Sequence, residues 1–149
     1  NAIREFTWNV FAAHYIEMVK WRAYLDDSSQ SRLSAIYTLH ESMTTILKLL
    51  APICPYITEE IWTIMYSNVN ESIHFCKLPE VEGDYAKYSK YTQLIINFNS
   101  MVWNRKKSYV SPETGKPLSL KDPIELAIPE NLLLFEEDLM MMHNIRRSG

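Results

Sequence analysis

With 149 residues, 47% of them apolar and only three glycines, the chain is one domain's worth of sequence, and its composition excludes both disorder and a turn-rich β-sandwich in favour of helices. The formal charge of −3 excludes nucleic-acid binding by bulk electrostatics, so any RNA contact has to be local. Two cysteines, Cys54 and Cys76, make no disulfide framework, no charged-then-apolar leader opens the chain, and no apolar run reaches the ~20 residues that span a bilayer; a cytoplasmic setting away from membranes is expected.

Residues 1–25 are expected to form one helix with two apolar stripes: Ile3, Phe6, Val10, Ala13, Trp21 and Tyr24 on one side, and Trp8, Phe11, Ala12, Tyr15, Met18 and Val19 on another. A surface helix needs one stripe. The second stripe, and an apolar pattern already running at Ile3 without a starting Met, are what a piece of a longer polypeptide would show. His14 and Glu17 stand three apart and admit two readings, an acid/base pair or a hydrogen-bonded polar pair between packed helices; no nucleophile or metal-ligand spacing accompanies them, which favours the second.

Polar residues 26–30 form a capping loop, and residues 31–50 a second helix with Leu33, Ile36, Tyr37, Met43, Leu47 and Leu50 inward and His40 as a satisfied residue on that stripe. The run then stops at Pro52, turns through Pro55 and restarts with Thr58 as a cap and Glu59 and Glu60 at the positive end of a third helix, 58–66, whose inward side is Ile61, Trp62 and Met65. Residues 72–79 alternate enough to be extended. His74, Cys76 and Cys54 are too few and too scattered for a zinc shell, so packing is the expected use of both thiols and no metal site is assigned.

Asp84 is the expected cap of a fourth helix running to about residue 107, with Tyr88, Tyr91, Ile95, Phe98, Met101 and Val102 on its core face. It ends in Arg105, Lys106 and Lys107. A solvated basic terminus and a phosphate contact are both open readings of that end, but the loop beyond adds Tyr109, Lys116 and Lys121, so that residues 101–121 hold five Lys or Arg against one Glu, a local +4 in an acidic chain. Arg105, Lys106, Lys107, Tyr109 and Lys116 are the candidate RNA-binding residues, with Tyr109 available to stack on a base. Strand 123–128, a helix opened by Pro129 and a second strand beginning at residues 143–145 complete the chain, with Met140, Met141 and Met142 as soft core filler and an acidic helix surface unsuited to RNA.

The corner Leu50-Ala51-Pro52-Ile53-Cys54-Pro55-Tyr56-Ile57-Thr58-Glu59-Glu60-Ile61-Trp62 resembles that of the anticodon-binding helical domain in class I aminoacyl-tRNA synthetases of the valine, isoleucine and leucine group. Phe6, Trp8, Phe11 and the run from His14 through Tyr15-Ile16-Glu17 to Lys20 are similar to the valyl version, especially the archaeal one, more than to the isoleucyl or leucyl versions. A tail like 72–79 and a basic loop like 105–118 occur at the same places in that family, although Leu78 stands where a Trp is usual.

The resemblance implies a mainly α fold, a bundle over 1–107 followed by a basic loop and small βαβ-like appendage over 108–149 whose closing strand is short, and a preceding helix that shares the anticodon reading. It also implies a parent enzyme that joins valine to its tRNA using ATP and Mg2+, with the rest of the synthetase chain as a partner. No catalytic residue is assigned here, because the family's two catalytic motifs and any phosphate-binding loop are absent from this sequence. Within the class the same domain of an isoleucyl or leucyl enzyme is the alternative, and two other classes stay open: a helical protein-interaction module without RNA, and a small hydrolase using His14 and Glu17, which lacks a nucleophile.

Overall fold

The computed structural model describes residues 2–66, 72–81, 83, 85–111 and 115–146. The expected Asp84 cap lies outside them. The architecture is mainly α, with a small appendage. Helix α1 spans 2–23 and is α-helical at Ala2–Glu5, π-helical at Phe6–Tyr15 and α-helical again at Ile16–Ala23. Helices α2 (Gln30–Leu50), α3 (Pro55–Tyr66) and α4 (Ala86–Ser108) follow, then strand β1 (Ile124–Glu125), a 3-10 turn (Glu130–Phe135), α5 (Glu136–His143) and β2 (Ile145–Arg146). Among the described residues no helix is long and apolar enough to cross a membrane.

The π-helical stretch changes which face of α1 is buried. Its wider turn closes with the Ile16 N–H donating to the Phe11 carbonyl, five residues back, and brings Phe6 over Phe11 at 6.3 Å. Phe11, Met18 and Val19 are buried, whereas Trp8 is 73% exposed and Phe6 and Tyr24 are also outside. Of the two expected stripes, the one through Phe11, Met18 and Val19 is therefore covered, but without Trp8, because the 3.6-residue period that drew both stripes does not hold through residues 6–15. In α2 the covered face is likewise rotated from the expected one: Ala35, Ile46 and Leu47 are buried, Leu33 and Tyr37 are exposed, and His40 sits at the edge with Nδ1 3.3 Å from the Tyr66 hydroxyl.

At the corner the helix starts earlier than expected. Pro55 opens α3, where its missing N–H costs nothing, and Thr58 lies inside the helix, buried, donating its hydroxyl back to the carbonyls of Cys54 (2.9 Å) and Pro55 (3.1 Å). Glu59 serves the next element instead of the helix end, its carboxylate accepting from the Ser72 hydroxyl (2.8 Å) and the Ile73 N–H (3.0 Å). Ile73 is thereby seated against Trp62 and Leu47, in a 3-10 turn (Ile73–Phe75) where extended chain was expected. Met65, expected inside, is exposed, as are Tyr88 and Met101 on α4.

β1 and β2 pair in parallel, Ile124 with Ile145 and Glu125 with Arg146, connected through α5. The appendage has no separate core: Ile124, Leu132, Leu139 and Ile145 pack with Met18, Val19, Ala35, Ile95, Phe98 and Val102 of the bundle. The Trp21 indole N–H also donates to Asp138 at 2.8 Å, tying α1 to α5.

Candidate nucleic-acid interface

Beyond α4 the chain doubles back as a small hairpin. The Leu118 N–H donates to the Tyr109 carbonyl (3.2 Å), Val110 bridges Pro117, and the Ser111 N–H donates to the Lys116 carbonyl (2.9 Å), with Gly115 turning at φ 65°. A side chain there would strain the backbone, which is why glycine suits the position. Residues 112–114 of the loop lie outside the described residues.

This hairpin sorts the candidate residues. Arg105 and Tyr109, one helical turn apart, line a groove with Leu118, Pro123 and Ile124, and with Glu125. Tyr109 is 52% exposed, so a guanidinium and an accessible phenol ring share one surface. A cation beside an accessible ring is the chemistry that suits a phosphate and a stacked base, and the Glu125 carboxylate lines the same groove. Lys107 is exposed but lies about 200° round the helix from Arg105, on the other side of α4. Lys116 is exposed on the returning arm of the hairpin and does not line the groove.

Lys106 corrects the sequence expectation. It is 0% exposed, and its ammonium donates to three carbonyls: Leu120 at 2.7 Å, Asp122 at 2.6 Å and His143 at 2.7 Å. An ammonium has three N–H donors, and all three are used. Burial lowers its pKa, while the Asp122 carboxylate pulls it back up. Lys106 is thus a pin that holds the 118–123 connection and the end of α5 against α4, out of reach of phosphate.

A buried polar relay continues from this pin. Asn99 donates its amide to His14 Nδ1 (3.1 Å) and accepts from His143 Nε2 (2.7 Å), joining α1, α4 and α5. With the amide in this orientation each imidazole carries its proton on Nε2. Trp103 stacks on His14 with centroids 5.2 Å apart and meets His143 edge-on at 5.9 Å. Burial lowers the pKa of His14; burial, then Lys106 and His14, lowers that of His143 to about 4. Glu17 takes no part in this, since it pairs with Lys20 on the surface. The expected His14–Glu17 pair is therefore replaced by His14–Asn99, and a buried imidazole held in a relay has no access to substrate as a general base.

Asn99, Trp103 and His143 were not singled out by sequence reasoning, yet a signal was present. Ile95, Phe98, Asn99, Val102 and Lys106 recur at three-and-four spacing, which places the Asn and the Lys on the core face. Of the two thiols, Cys76 is half-buried with its sulfur 3.8 Å from the Ser72 carbonyl, but Cys54 is exposed at the corner, against the packing role expected for it. His74 lies 3.9 Å from Glu59, and among the described residues no three His, Cys, Asp or Glu side chains converge into a possible metal shell.

The sequence pattern of the family described as the anticodon-binding domain of tRNA ligase matches residues 1–119. The chain belongs to that family. This anticodon-binding domain is similar to a valine–tRNA ligase of Aeropyrum pernix, 31% identical over 96% of this chain, and to one of Nanoarchaeum equitans, 34% identical over 95% of it. A valine–tRNA ligase of Ehrlichia ruminantium is 49% identical over 48% of the chain. The chain spans 17% of the length of each of the two archaeal relatives and 9% of the third. No solved structure matches it.

Proposed function

We propose that this anticodon-binding domain grips the anticodon stem and loop of tRNA for valine, as the non-catalytic part of a cytoplasmic valine–tRNA ligase whose ATP and Mg2+ act elsewhere in that enzyme. One observation carries the reading: in a chain of net charge −3, the exposed Arg105 and Tyr109 line one groove at the head of a basic segment that falls within the family match as far as residue 119. Unpaired loop bases stack on rings and bond at their edges, with the adjoining phosphates on Arg and Lys. Arg105, Lys107, Tyr109 and Lys116 remain the proposed contacts, Lys107 and Lys116 through phosphates flanking the groove.

The test is a titration of the protein with a transcript of tRNA for valine, and with one whose anticodon is exchanged, at two salt concentrations. The valine transcript should bind more tightly, Arg105→Ala should reduce the salt slope by roughly one, and Tyr109→Ala should cost about 1 kcal/mol with the slope unchanged. Equal binding of both transcripts would leave the phosphates to this domain and put the base reading in the preceding helix, and no binding would remove the RNA reading. A second reading, a protein-interaction surface, is favoured by Tyr56 (91% exposed), Ile57, Ile64 and Phe75, all exposed around the corner. It predicts self-association or partner capture that Arg105→Ala leaves unchanged.

A further inference from the structure

On the side of α4 away from the Arg105–Tyr109 groove, α1, α4, α5 and the 118–123 connection enclose a second cleft of about 740 Å³. Its volume is that of a ligand site. The half-buried or buried wall is Trp103, Met140, Met142 and Ile145, the two methionines coming from the end of α5 beyond its acidic Glu136, Glu137 and Asp138, none of which lines the cleft. Exposed around it are Lys20, Lys121, Asn144 and Glu17. Resting on the RNA reading above, we propose that this cleft receives one unpaired nucleotide of the bound RNA, its base against Trp103 and the methionines and its phosphate on Lys121.

Four features fit that occupant. The Trp103 ring is already fixed by His14 and His143, so it offers a rigid wall at little entropic cost. Thioethers are adaptable and accept a flat ring of any of the four bases. Lys121 stands in the same basic segment as the Arg105 groove, and Lys107, four residues after Trp103, falls on the same side of α4, so the cations flank the cleft rather than fill it. Glu17, neutralised by Lys20, and Asn144, whose amide donates to the Lys121 carbonyl at 3.0 Å, supply polar groups on the lining of the cleft. The Lys106 pin separates the two clefts, so an RNA strand crossing the 118–123 connection meets both.

The experiment uses the intact protein, a stem-loop RNA carrying 2-aminopurine at each unpaired position in turn, and the same stem as a blunt duplex. Two cleft variants are compared with Arg105→Ala: Lys121→Ala, an exposed side chain whose removal spares the core, and Met141→Trp, which fills the cleft from the exposed Met141. We expect each cleft variant to weaken the stem-loop about fivefold or more, to leave the duplex within about twofold, and to abolish the fluorescence change at one loop position. Lys121→Ala should also lower the salt slope by about 0.7. If Arg105→Ala weakens binding while both cleft variants keep the affinity and every fluorescence change, the cleft proposal is overturned and the RNA reading stands. If the unaltered protein binds neither RNA, both fall; if free mononucleotides bind as tightly as the stem-loop, the occupant is a free nucleotide and the assignment to RNA is wrong.

Discussion

Lys106 and Lys107 are neighbours of the same type with opposite fates, and the difference is a third of a helical turn. Lys106 continues the Ile95–Phe98–Val102 face into the core, where three carbonyls receive its ammonium; Lys107 falls toward solvent. Replacing Lys106 with Met leaves those carbonyls without a donor, and a loss of about 3 kcal/mol is expected in urea unfolding. Lys106→Arg should not rescue it, because a planar guanidinium does not match three converging acceptors. His143 makes a prediction with pH. Its pKa falls from the ordinary 6.5 to about 4 on folding, so below pH 6.5 the unfolded chain binds the proton that the folded chain refuses. Stability is complete above pH 6.5 and is lost as pH falls toward 4, by about 3 kcal/mol in total, with His14 adding in the same direction. Unfolding curves at pH 7, 5.5 and 4.5 should show this slope, and His143→Gln, which keeps an N–H for Asn99 without the charge, should flatten it.

At the scale of elements, the corner and its tail depend on one carboxylate. Glu59 holds the Ser72 hydroxyl and the Ile73 N–H, and Ile73 in turn closes the small core of Leu47, Ala51 and Trp62. Glu59→Ala should cost about 2 kcal/mol and raise hydrogen exchange at the Ile73 amide at least tenfold, with the amides of α4 unaffected. The corner itself was legible in the sequence, since two prolines three apart can end one helix and open another. The use of Glu59 was not. Its partners lie 13 and 14 residues further on, and a carboxylate near a helix start already has a sufficient local explanation. The π-helical stretch was illegible for a related reason: its period differs from the one by which helices are recognised, so Trp8 was placed in line with Phe11, Met18 and Val19 although the wider turns leave it outside.

Over the whole molecule, the shared core makes the bundle and the appendage one cooperative unit. Leu139 of α5 is fully buried against residues from α1, α2 and α4. Leu139→Ala should therefore cost about 2–5 kcal/mol and shift the circular-dichroism and tryptophan-fluorescence transitions together; two separated transitions would show that the appendage unfolds alone. The same coupling is what sets the grooves on either side of α4, because the connection between them is held by the Lys106 pin at one end of a relay that reaches α1 through Asn99 and His14.

The sequence by itself determined the helical class, the corner and the family, because these rest on local periodicity, on proline geometry and on side chains near one another in the chain, and the βαβ-like appendage followed from the family resemblance. It also located the basic segment, since charge density is counted along the sequence. Only the tertiary structure decided which of those cations meets solvent. The three carbonyls that claim Lys106 come from residues 120, 122 and 143, and burial is a property of what packs around a side chain rather than of the side chain itself.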